Sequence, residues 1–485
     1  RCISIKMLPE DADMLDARYN VVQWVHRSTR GWSYGANISD PRTGEIIKGH
    51  VSLGSLRIRQ DFLIAQALQA PYKNNAVDDD FAMQLAIARI RQLSAHEIGH
   101  TLGFAHNFAA STVGRTSVMD YPHPKLVMKD GKIDFSQAYD DKIGAWDKVT
   151  VAYSYQDFQE DINEETALND ILEKAFANGL RYLSDQDARP TGSASAYAHL
   201  WDNGTTVYDE LHKLLDIRKK AIAAFSEDNI KTGEPYSVLE DVFVPLYFLH
   251  RYQTEATSKI IGGLDYTYAV KGGNQTIVQR IAGKEERLAL QAILKTLAVE
   301  EIAIPKEKLA LFPPRAYGYD RSRESFNSKL GVAFDPFSAV ETSSEMTLEL
   351  LLHPQRLSRL IAHKSLDESQ LGLEELLDSL IAITFKTTHK DSYYQELQNI
   401  INLEFLEQLM YLSSNKNQYP QVNAIVAAKL EEIKQLLLNS SAKKAQEMME
   451  QSFIKMINDF EKNPTVFKKS DAPKIPDGSP IGTSH

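Results

Sequence analysis

An α+β fold, with a small twisted mixed sheet and one long helix ahead of a mostly α-helical second part, is predicted by three features of the sequence. Short β-rich runs broken by turn residues fill residues 1–60, one long helical stretch covers 81–102, and from about residue 160 apolar residues recur at helical spacing. At 485 residues the chain exceeds the usual reach of one hydrophobic core. Two domains are expected, 1–157 and 158–462, followed by a tail at 463–485.

In the first domain, Val21–Val25 and Glu45–Leu53 read as strands separated by the Asp40-Pro41 and Thr43-Gly44 turns. A helix is expected near 58–68. Asp78, Asp79 and Asp80 offer an N-cap whose charge suits the positive helix end, so Phe81–Leu102 reads as one long helix. Residues 143–155, with Trp146 and Val149 on one face, close the domain.

Beyond it, amphipathic helices are expected near 164–183, 206–225, 237–258, 284–299, 346–363, 368–384, 392–411 and 422–459. Polar, irregular stretches separate them, and a hairpin is predicted around 266–270 with a turn at Gly272-Gly273. Residues 463–485 collect Pro, Gly and Lys without apolar periodicity and are expected to be disordered. No internal repeat is present.

The run His96-Glu97-Ile-Gly-His100-Thr-Leu-Gly103-Phe-Ala-His106 carries the chemistry. Residues four apart share a helix face, so His96 and His100 can offer two imidazoles to one ion with Glu97 beside them. A catalytic zinc site needs a third protein ligand and an open fourth position. His106 supplies the third if the helix stops first, and Gly103 provides that break because glycine adopts turned conformations without a Cβ penalty.

Composition narrows the alternatives. A formal net charge of −11 with scattered basic residues argues against a nucleic-acid partner. One cysteine, Cys2, excludes a disulfide framework and a cysteine metal cluster. It reads as a small apolar residue in a strand rather than as a latency ligand. No apolar run reaches the roughly 20 residues of a transmembrane helix. The chain opens at Arg1 and reads as a piece of a longer protein, so the lack of a signal sequence says nothing about compartment.

The extended histidine run followed by Ser117-Val-Met119-Asp-Tyr121 resembles the metzincin clan of zinc-dependent metalloproteases. Arg18–Trp24, Trp32–Gly35 and Asp40–Ile47 are similar to bacterial envelope or secreted members of the Met-zincin type. The resemblance implies a zincin-like catalytic domain, one Zn²⁺ held by His96, His100 and His106, and a peptide or protein substrate. It also implies Glu97 as general base, Met119 as a packing floor beneath the histidines, Tyr121 as a donor to the oxyanion, and an extracytoplasmic location.

An extended substrate can add to a sheet edge. The segment 44–53, with Gly49, His50 and Val51, is the candidate edge. Other readings are a scaffold protein that keeps zinc as a strut, or a zinc hydrolase of a non-peptide amide. His123, between two prolines, is expected in an exposed loop rather than on the metal. Asp185 and Asp187 are assigned no metal, and His250–Gln253 and Trp201–Gly204 are expected to pack against the cleft. Asn107 leaves the branch of the clan open. No feature assigns calcium or an oligomeric state.

Overall fold

A computed structural model describes residues 4–26, 33–73, 80–140, 142–440, 444–471 and 473–477. Cys2, Trp32, Asp78, Asp79 and residues 478–485 lie outside them.

Three strands form the sheet: β1 (Val21–Val25), β2 (Tyr34–Ser39) and β3 (Ile46–Gly54), in the order β1-β3-β2. β1 runs parallel to β3 and β2 antiparallel to it, so the sheet is mixed, as expected. This order corrects the assignment of 44–53 as a substrate edge. Residues Gly49, His50 and Val51 lie in the central strand, with His50 opposite Val21 on one side and Ala36 on the other. Both main-chain edges of β3 are therefore occupied. Val51 is instead core, packing with Leu53 and Leu93.

Helix α1 (Leu56–Gln69) follows β3 directly, and α2 (Asp80–Thr101) packs back along it and under the sheet. Ala65, Ala82 and Leu85 close the seam between the two helices, where the two alanines let the axes approach. A two-stranded ribbon, β4 (Val127–Lys129) and β5 (Lys132–Asp134), precedes α3 (Ala145–Tyr155). Trp146 of α3 is buried and stacks on Tyr182, with centroids 5.3 Å apart.

Among the described residues that follow, helices and one hairpin are joined by irregular segments. α4 (Glu164–Ala177), the single turn α5 (Asp185–Ala188), α6 (Val207–Ala224), α7 (Leu239–Tyr247) and α8 (Arg251–Ser258) lead to β6 (Leu264–Tyr266) and β7 (Val278–Arg280). Helices at 283–295, 336–351, 354–366, 373–383, 392–414, 420–438 and 444–462 follow, with single turns at 299–302 and 306–309.

The long stretches expected at 237–258, 346–363 and 422–459 are each interrupted, at Phe248–His250, at Leu352–His353 and at Asn439–Ser440. At the second break Pro354 takes the first helical position, where its missing N–H costs nothing. The helix ahead of it begins at Pro336, well before 346, because Asp335 caps the N–H groups of Phe337 and Ser338.

Two buried clusters dominate. The larger joins Leu211, Leu290, Leu377, Phe405, Val426 and Phe453 within the helical part. The other places Ile64 and Leu68 of α1 against Leu214, Phe243, Tyr247 and Phe312, so the core is continuous across residue 157.

The tail, expected to be disordered, is docked as far as Asp477. Phe467 packs on Phe460, Lys469 pairs with Glu345 at 2.8 Å, and Arg251 donates to the Pro476 carbonyl at 3.1 Å. Single anchors of this kind leave no periodic signature in a sequence.

Candidate metal centre

Helix α2 presents His96 and His100 on one face and stops at Thr101. The ending follows a Schellman pattern: the Gly103 N–H donates to His100 O at 3.0 Å and the Phe104 N–H to Gly99 O at 3.1 Å. Gly103 holds φ at +87°, which a side chain would resist. The reversal returns His106 to the helix face.

The three Nε2 atoms converge. His100 Nε2 stands 3.1 Å from His96 Nε2 and 3.2 Å from His106 Nε2. All three Nδ1 atoms point away from this centre and donate to fixed acceptors: His96 to Val118 O at 2.6 Å, His100 to Phe104 O at 2.8 Å, and His106 to the Asp185 carboxylate at 2.9 Å. Once Nδ1 carries the proton, Nε2 presents a lone pair. Lone pairs facing each other at this spacing repel unless a cation lies between them, so the donor set fits a divalent metal and matches the nitrogen ligands zinc takes. Burial first, then the neighbouring imidazoles, hold His96 well below the ordinary histidine range; His100 is lowered by the same causes. Neutral imidazole is the form a metal needs.

Among the described residues this triad is the only group of three or more His, Cys, Asp or Glu side chains that could hold an ion. His123 takes no part. It is buried rather than in an exposed loop, with Nδ1 3.1 Å from Pro124 O, and burial pushes its pKa down to about 4.

Glu97 is buried beside the triad, and burial raises its pKa to about 7 against the opposing pull of Arg89 and a hydrogen bond from the Gly35 N–H. That last contact brings β2 to the carboxylate. Among the described residues β2 is also a strand with an unpaired edge.

Met119 lies beneath α2 at Gly99, where a Cβ would come within 2.3 Å of its sulfur. The turn that carries it is pinned by Asp147 at the start of α3. The Asp147 carboxylate accepts from Ser117 Oγ at 2.6 Å, Val118 N at 2.9 Å and Gly144 N at 2.6 Å. Tyr121 stands with its ring 4.8 Å from that of His106 and 5.3 Å from that of His96, and its hydroxyl accepts from Arg189 at 3.4 Å.

Residues far along the chain complete the site. Asp185 accepts from His106 and from Arg189 Nε at 2.5 Å. Burial alone would raise its pKa, but these two partners hold it well below the usual carboxylate range. Trp201, in the segment expected to pack on the cleft, stacks on Tyr121 with centroids 4.7 Å apart. Gln253 anchors that segment through the Asn203 N–H and carbonyl at 3.0 and 3.2 Å.

Asn107 ties the segment carrying His106 to both neighbours: its N–H donates to Met119 O at 3.0 Å and its side chain to Arg181 O at 2.8 Å. The sequence offered no sign of the roles of Asp185, Arg189 and Asp147, because each acts on residues distant along the chain.

A family model described as Met-zincin matches residues 78–392. The matched span takes in α2, Met119, Asp185 and Trp201 together. No curated protein and no solved structure matches.

Proposed function

The chain belongs to the Met-zincin family, and from that premise we propose that it is a zinc-dependent endopeptidase in which His96, His100 and His106 hold the ion and Glu97 is the general base. The observation that carries this is the convergence of three Nε2 lone pairs beside a buried carboxylate. When bound, zinc supplies Lewis-acid chemistry, polarising a carbonyl oxygen and making water a stronger acid.

Glu97 takes the proton from that water at its carboxylate and passes it to the departing amine, with the Gly35 N–H fixing its orientation. Burial favours the protonated form of Glu97 in the metal-free chain, and a cation held by the neighbouring histidines would favour the charged form that accepts a proton. The Tyr121 hydroxyl, held by Arg189, donates toward the oxygen that gains charge. The substrate strand adds to the outer edge of β2, which has the unpaired groups that β3 lacks.

The test is cleavage of a proteome-derived peptide pool, read by mass spectrometry, with a chelator control. Glu97→Ala should keep one zinc per chain and lower turnover by roughly 10²–10⁴. Unchanged cleavage would reject the mechanism.

A further inference from the structure

We infer that the single turn α5 is a positioning element that couples the β6–β7 hairpin to the third metal ligand. The inference rests on the reading of His106 as a ligand. Two carboxylates of this turn face opposite ways: Asp185 receives the His106 Nδ1–H at 2.9 Å, while Asp187 is clamped by the hydroxyls of Tyr266 and Tyr268. The Tyr268 oxygen also accepts from the Ser184 N–H at 3.1 Å, so the hairpin holds the residue that starts the turn.

A four-residue helix cannot fix its own orientation, because helix nucleation is unfavourable and few internal bonds repay it. Its pose is set by what grips it, and the hairpin grips it at Asp187 and at Ser184. The hairpin's root is itself tied in. Arg181 forms a two-pronged pair with Asp265 at 2.7 and 3.1 Å, and the Leu264 N–H donates to Ala194 O at 2.8 Å. Its outer half is not packed, with Val270 67% and Ile277 77% exposed. A two-stranded ribbon with so little cover is marginal by itself, so displacement of its outer half is transmitted to Asp187 and through the turn to Asp185.

The experiment is a cycle on the full chain with zinc as the probe. Zinc affinity is measured by chelator competition, and the visible spectrum of the cobalt(II)-substituted protein reports ligand geometry. Asp185→Asn should weaken zinc by about 10- to 100-fold, the range for loss of a partner behind a ligand histidine. The pair Tyr266→Phe and Tyr268→Phe, which keeps both rings, should weaken it by about 3- to 10-fold and shift the cobalt spectrum.

Coupling through α5 requires that the tyrosine changes have little further effect once Asp185→Asn is present. Unaltered affinity and spectrum in the tyrosine variant, or full additivity with Asp185→Asn, would overturn the inference. A wild-type chain that binds no zinc at all would instead reject the metal centre itself.

Discussion

The two halves of the candidate metal site are built by different means. On one side, His96, His100 and His106 come from a single run, and a helix face followed by a left-handed glycine sets their geometry. On the other, Asp185, Arg189 and Trp201 arrive from far along the chain and are held by hydrogen bonds and ring contacts. The local half decides what can bind. The remote half decides how firmly the third imidazole and Tyr121 are aimed, which is the task of groups behind a metal ligand.

Four substitutions break or sharpen this contrast. The largest effect on stability is expected from the remote half: Trp201→Ala removes a buried indole that stacks on Tyr121 and lies beneath the Arg57 and Arg89 guanidinium groups. It should cost about 3–5 kcal/mol in denaturant unfolding.

His106→Ala acts on the local half without such unfolding. Site affinities of roughly 10–16 kcal/mol, divided among the ligands, imply at least a 10²-fold loss in zinc competition. A melting curve close to wild type in the metal-free protein would separate this variant from Trp201→Ala.

Gly99→Ala tests the packing floor. The new methyl would meet the Met119 sulfur at 2.3 Å, and overpacking of this kind costs about 1–3 kcal/mol. Met119→Ala in the same chain should recover part of that loss. The smallest effect is expected from Gly103→Ala, where a left-handed residue costs about 1–2 kcal/mol, with a matching loss of zinc affinity as His106 swings outward.

Legibility in the sequence divides along the same line. The helix end near Leu102, the glycine break and the third histidine were readable because each depends on spacing within one turn of backbone. The mixed sheet was readable as a class but not in its order. The pairing partners of residues 46–54 lie on both sides in space, and nothing in the alternation of that strand distinguishes a centre from an edge. Asp185 was visible only as an ordinary acidic turn residue, since its partner lies in another part of the chain. The docked tail has no periodic signal for a related reason: Lys469, Ser470 and Pro476 are anchored by separate polar contacts to residues distant along the chain.

Zinc-edge X-ray absorption of the loaded full chain tests the central claim most directly. Three imidazole nitrogens at about 2.0–2.1 Å plus one light oxygen scatterer from solvent are expected, with the imidazole pattern reduced by one ring in His106→Ala. A fourth protein ligand closing the shell, or a wild-type spectrum retained in His106→Ala, would contradict it.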